Sequence, residues 1–372
     1  MGKRLVLCCD GTWNRPDQER NGRPCPTNVT KVALAVAPEG GGSAQRVFYQ
    51  PGVGTAARER LRGGAFGWGL SKGVQDVYRF VVDNYEPGDE LFFFGFSRGA
   101  YMARSTAGLI RNAGILRREN AARIAQAYAL YRDRAAKPRD TESQLFRRSF
   151  SHGEASIRFL GVWDTVGALG IPLASNPLTA VLNRRWRFHD VELSRSVQAA
   201  YQALAIDEVR RPYAPAVWEQ DPNADGQVLE QVWFAGAHSD VGGGYADTSL
   251  SDVTLGWMAE RARSCGLEFH QGAFVWPDDG MQPPDRDDGF VPDPRGQLHD
   301  SYSGVARLMG RALRPLGSQP SGHESVSSTA LLRSQQDTTY PPSNLGSFLA
   351  TSPDRVVQVG PWAASSTASM TA

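Results

Sequence analysis

Apolar runs long enough to cross a membrane are missing from this chain: the longest are strand-length, well short of the roughly 18 residues a spanning helix needs. Charge of one sign is missing too. Lys and Arg total 40 against 39 Asp and Glu, for a net +1 and a pI near 7.7. That balance gives no global signature of a nucleic-acid or acidic-polymer partner. Cysteine is scarce, and Cys8, Cys9, Cys25 and Cys265 have neither metal-ligand spacing nor the look of a disulfide framework. The first ten residues have a basic start, a very short apolar run and then Asp10. A signal segment would carry a longer apolar run, so a first strand and a cytoplasmic chain are expected, with signal-independent export left open. There is no internal repeat and no G-x-x-x-x-G-K-[ST] phosphate loop. The glycine-rich stretch Gly63–Gly69 lacks a strand before it and reads as a loop.

What is present is an alternation of strand and helix patterns, which predicts an α/β fold with a mostly parallel sheet and helices on both faces. Strands are expected at Arg4–Cys9, Arg46–Tyr49, up to Phe96, Ile157–Trp163 and Val232–Ala237. Asn28 or Thr30 would cap a short helix through Val36. Val74, Val77, Tyr78, Val81, Val82 and Tyr85 share one face of a 3.6-residue period, a helix that Pro87-Gly88 stops. Further helices are expected over about Ala100–Asn112, Glu119–Arg134 and Ser251–Ser264, and loosely near Ser301–Leu313. Residues 168–230 read as a cap insertion with one helix near Ser194–Asp207, its Trp186 and Trp218 lining an acyl-chain pocket or only packing the insertion. The catalytic domain would end near residue 350 and the small, polar 351–372 would be disordered.

The most informative segment is Leu91–Ala100, where an apolar run ends in G-x-S-x-G (Gly95, Ser97, Gly99) and a helix-compatible stretch follows. Strand, sharp turn and helix make a nucleophile elbow, with a serine held above a helix N-terminus. A serine nucleophile needs a base and a group to orient it, and in a parallel sheet both belong where strands end. Asp164 and His238 each follow a strand, in the order Ser, Asp, His. His323 is the rival base, and His299 a weaker one. The Arg98 amide would be one oxyanion donor, with the Gly11-Thr12 turn supplying a second. Asp10, Asp240 and Asp247 raise a metal reading but match no calcium loop, so neither metal nor cofactor is expected.

Four segments together, Cys9-Asp10-Gly11-Thr12-Trp13-Asn14, Gly95-Phe96-Ser97-Arg98-Gly99-Ala100, Gly161-Val162-Trp163-Asp164-Thr165-Val166 and His238-Ser239-Asp240-Val241-Gly242-Gly243-Gly244-Tyr245, resemble one known family. It is the α/β-hydrolase domain family that includes the catalytic module of type VI secretion phospholipase effectors. The resemblance runs from about Lys3 to Leu345, taking in His323-Glu324-Ser325-Val326 and Tyr340–Leu345. It implies a Ser-Asp-His hydrolase acting on carboxylic esters, in some members phospholipids. By motif it carries over Ser97 as nucleophile and Asp164 as the acid, with the base at His238 or His323. The large membrane-associating module of the secreted effectors has no counterpart in these 372 residues. The expected partner is a small-molecule or lipid ester, with peripheral membrane contact open and no nucleic acid. A thioester or amide hydrolase on the same triad, or an interaction protein retaining the fold, are the alternatives.

Overall fold

Along β1 (Arg4–Cys9), Leu5, Leu7 and Cys9 pack on one side and Val6 and Cys8 on the other, and all five are buried. A strand apolar on both faces belongs inside a layered α/β sheet. That sheet is seen in a computed structural model, which describes residues 2–11, 14–52, 65–133, 136–153, 155–166, 192–277, 289–319, 323–340 and 342–362. Its further strands are β2 (Glu39–Gly40), β3 (Ser43–Gln50), β4 (Glu90–Phe96), β5 (Ile157–Trp163), β6 (Ala199–Ala205), β7 (Val228–Phe234), β8 (Glu324–Ser327) and β9 (Val356–Val357). They lie in the order β9-β8-β7-β6-β5-β4-β1-β3-β2. All pair in parallel except β2 with β3.

The helices are α1 (Asn28–Ala35), α2 (Ala65–Asn84), α3 (Arg98–Ala113), α4 (Ile124–Arg132), α5 (Thr141–Phe150), α6 (His238–Gly242), α7 (Ser249–Ser264), α8 (Ser328–Gln336) and α9 (Ser343–Thr351). α2 to α5 cover one face, over Leu5, Leu91, Phe93, Leu160 and Val162. α1, α6 and α7 cover the other, over Val6, Phe92, Phe94, Phe159, Trp163 and Val232. Among the described residues no helix is long and apolar enough to cross a membrane.

Four expectations are corrected. The segment Ser194–Asp207 is not a helix: its centre is β6, which pairs with β5 and β7 in the middle of the sheet. Ala199, Ala200, Ala203 and Ala205 favour a helix by propensity. Fully buried on both faces, they instead form a slim strand. The described part of the supposed cap therefore includes a central strand, while 168–191, with Trp186, lies outside the described residues. Trp218 is buried with the Arg104 guanidinium 4.2 Å over its ring, so it packs the interior. Of the stretch 351–372 expected to be disordered, residues 351–362 are folded against the sheet: β9 pairs with β8, Val359 is buried, and Trp362 meets Trp276 edge-on at 5.5 Å, while 363–372 lie outside the described residues. Finally, Thr27 caps α1 by accepting from the Thr30 amide at 3.1 Å, because Asn28 turns its side chain to Val241, Ser251 and Thr254.

Candidate active site

The elbow forms where β4 passes into α3. Ser97 sits between them at φ 57°, ψ −118°, a positive-φ conformation that L-residues rarely adopt. Its amide donates to the Trp163 carbonyl at 3.0 Å and its carbonyl accepts from Tyr101 at 3.2 Å. The flanking glycines are required by close approach. A Cβ on Gly95 would lie 2.6 Å from the Ala100 Cα, and one on Gly99 would overlap the Cys9 carbonyl. The serine thus stands at the carboxyl edge above the first turn of a 16-residue helix, whose N-terminal partial positive charge faces it.

Asp164 follows β5, also at positive φ (42°), and is fully buried. Its Oδ2 lies 2.5 Å from His238 Nδ1, and its Oδ1 accepts from the Ala205 amide at 3.0 Å. Arg314 closes the carboxylate from the other side, donating at 2.6 Å to Oδ1 and 2.9 Å to Oδ2. Burial alone would raise the Asp164 pKa; the Arg314 guanidinium and the His238 contact outweigh it and hold the carboxyl well below its ordinary range.

His238 opens α6 and is 5% exposed. Its ring packs on Phe96 at 4.7 Å and edge-on to Tyr213 at 5.0 Å. Phe96 immediately precedes Ser97, so the imidazole lies against the elbow itself. The His238 amide donates to Glu208 Oε2 at 3.3 Å. Burial pushes the Glu208 pKa up, and the Arg210 guanidinium at 2.7 Å overrides it, leaving the carboxyl below its ordinary range. A Cβ on Gly242 would overlap the Phe96 ring, so α6 packs tightly onto the elbow.

The oxyanion candidates divide. Arg98 begins α3, and burial pushes its guanidinium down to about 10, with Tyr213 acting the other way. Gly11 lies against the elbow, since a Cβ there would come 3.3 Å from the Ser97 Cβ. Its amide, however, donates to Asp10 Oδ1 at 2.6 Å, so Gly11 is not a ready oxyanion donor. Thr12 lies outside the described residues. Asp10 is fully buried and also accepts from Thr27, Thr30 and Tyr49. These contacts fix the strand-end turn, and among the described residues no three His, Cys, Asp or Glu side chains gather around a common centre.

His323 is corrected as a candidate base. It immediately precedes β8, at that strand's amino end, and its carbonyl accepts from Gln231 in β7. The site lies at the opposite, carboxyl edge. β8 is also four strands from β4, about 19 Å at roughly 4.8 Å per strand.

Sequence reading missed Arg314, Glu208 and Tyr213. Arg314 sits in an irregular segment with no periodicity to mark it. His299, the weaker candidate base, has its Nδ1 2.6 Å from Asp240 Oδ1 and its ring stacked on Tyr245 at 3.9 Å. His299 and Tyr245, with Ser239 and Arg210, line a polar cavity of about 670 Å³ beside His238.

Residues 3–261 match the family described as T6SS, Phospholipase effector Tle1-like, catalytic domain. A protein of Saccharomyces cerevisiae named "Uncharacterized protein YEL023C" is 31% identical over 194 residues, 46% of this chain and 27% of that protein. Among solved structures, an uncharacterized protein from Pseudomonas aeruginosa aligns at a TM-score of 0.41 and 17% identity, over 72% of this chain and 46% of that one. A Tle1 effector bound to the VgrG spike of the type 6 secretion system aligns at 0.40 and 20% identity, over 66% and 52%. The chain thus spans about a quarter of the yeast relative and about half of each solved chain.

Proposed function

From the Tle1-like phospholipase effector catalytic domain family, to which this chain belongs, we propose that it is a serine hydrolase cleaving carboxylic esters, phospholipids among them, through an acyl-enzyme. The observation that carries this reading is the line of contacts Arg314–Asp164–His238, ending with the imidazole packed on the residue before Ser97. With the Nδ1 proton held by Asp164, the lone pair of His238 sits on Nε2, the nitrogen that takes the Ser97 proton. The Ser97 oxygen adds to the ester carbonyl, and the negative charge on the carbonyl oxygen is met by the Arg98 amide at the α3 N-terminus. As the C–O bond to the alcohol breaks, His238 returns the proton to the leaving oxygen. Water then attacks the acyl-serine by the same proton path, releasing a carboxylic acid and restoring Ser97. Arg314 keeps Asp164 ionised while also neutralising part of its charge, so its contribution is to position the carboxylate.

The test is hydrolysis of short p-nitrophenyl esters and of diacyl phospholipid vesicles, with fluorophosphonate labelling of the serine. Wild type should turn over and label, and Ser97→Ala should lose turnover by about 10⁴-fold or more. Turnover by Ser97→Ala within tenfold of wild type would remove the serine from the chemistry. A wild type that neither labels nor hydrolyses would favour a binding protein on the same fold.

A further inference from the structure

The segment 301–315 runs from the rim of the polar cavity to the Asp164 carboxylate, and it combines exposed leucines with exposed arginines. Ser301 Oγ donates to Glu208 at 3.2 Å at one end, and Arg314 grips Asp164 at the other. In between, a 3-10 helix (Gly304–Met309) is closed by the Tyr302 hydroxyl donating to the Arg307 carbonyl at 2.9 Å. The strap is stitched to the chain after β6, with the Arg211 amide on the Gly310 carbonyl at 3.0 Å and the Ala312 amide on Val209 at 2.9 Å. It is therefore a fixed structure. Yet Leu308 is 83% exposed and Leu313 57% exposed. No Asp or Glu occurs from 301 to 323, whereas Arg307 and Arg311 are exposed beside the leucines, and the exposed Arg211 flanks Gly310. Among the described residues none of these three arginines pairs with a carboxylate.

We infer that the strap 301–315 is the surface by which this protein docks on an anionic lipid bilayer, with Leu308 and Leu313 entering the interface and Arg307, Arg311 and Arg211 meeting lipid phosphates. The occupant follows from the chemistry of the patch. Exposed leucines flanked in the chain by exposed arginines, with no carboxylate among them, complement a surface that is apolar beneath and negative at its boundary. The same strap supplies rim residues Ser301 and Ser303 to the cavity beside His238, so docking would bring the bilayer to the mouth of the site. As an account of how substrate arrives, the inference rests on the ester hydrolase reading, but binding itself does not.

The test is co-sedimentation of the full chain with vesicles of phosphatidylcholine alone and of phosphatidylcholine mixed with phosphatidylglycerol, alongside turnover of a soluble short-chain ester. Wild type should bind the mixed vesicles more tightly. Arg307→Gln with Arg311→Gln should lower that binding by about 30-fold, at about fivefold per arginine, and leave binding to neutral vesicles nearly unchanged. Leu308→Ser with Leu313→Ser should lower binding to both by about tenfold or more. Soluble-ester turnover should stay at the wild-type value in every strap variant. Equal wild-type binding to both vesicle types, or strap variants that bind like wild type, would overturn the inference. A concentration-dependent dimer in light scattering that the leucine variant abolishes would overturn it in favour of a second copy on this surface. Absence of soluble-ester turnover in wild type would sink the hydrolase reading while leaving vesicle binding standing.

Discussion

Replacing Arg314 by Met keeps much of the side-chain volume and removes a guanidinium that holds Asp164 through two oxygens inside the protein. Both partners are buried, with side-chain exposures of 3% and 0%. Breaking such a pair from one side costs about 3–5 kcal/mol, because the other charge is left without its counterion. Unfolding entropy of about 2.1 cal/mol/K per residue gives this chain about 0.8 kcal/mol/K, so the expected fall in melting temperature is about 4–6 °C. Asp164→Asn should fall by a similar amount, since it leaves Arg314 buried without a carboxylate. The double variant strands neither charge. It should lose up to about 3 kcal/mol less than the two single losses added together, or about 4 °C. Thermal unfolding followed by tryptophan fluorescence, with nine tryptophans to report, reads all four proteins. Strict additivity of the two substitutions, or a shift under 1 °C for Arg314→Met, would refute the claim that these groups hold each other.

The same carboxylate sets an acid limit. Asp164 is held below its ordinary value of 3.8, so the stability it contributes is present above that pH and lost as pH falls below it. The stability gap between wild type and Arg314→Met should be constant well above pH 3.8 and narrow as acid is added, measured by urea unfolding across the pH series. A gap that widens in acid would contradict the assignment. Replacing each histidine with alanine separates the two bases: His238→Ala should lower ester turnover by about 10³-fold or more, and His323→Ala should leave kcat within about twofold. The reverse pattern, read from steady-state kinetics, would return the base to the far edge of the sheet.

The parts legible in the sequence share one property, that their signal is local. The apolar run into Gly95-Phe96-Ser97-Arg98-Gly99 contains its own strand, turn and helix start, and the structure puts each where the spacing predicts. Asp164 and His238 could be found because parallel strands deliver their next residues to one edge, so a strand end is itself a coordinate. His323 shows the limit of that rule. Proximity to a strand is not enough, since it sits before β8 and not after it. β6 was hidden because alanines carry helix propensity, and only the neighbours on both sides turn them into a strand core. Arg314 was hidden more deeply. Its meaning depends on a carboxylate 150 positions away, and nothing in the residues around it records that distance.

The short helix α6 ties the chemistry to the cavity wall. His238, its first residue, points its Nδ1 to Asp164, while Asp240, two positions on, receives the Ala237 amide at 2.9 Å and both the amide and ring of His299. One five-residue turn therefore orients two imidazoles through two separate carboxylates. Burial raises the Asp240 pKa and the His299 contacts work against it. The Asp240 carboxylate, behind His299, is held by amides and an imidazole, where Arg314 clamps Asp164 with a guanidinium. That difference in partners separates the two pairs in kind. The inner pair is buried and its carboxylate is fixed on both sides, the rigidity that the proposed proton path through His238 requires. In the outer pair, His299 stands at the wall of a polar cavity and stacks on Tyr245, so under the proposed hydrolysis it is the imidazole that would meet a polar part of the substrate rather than the reacting serine.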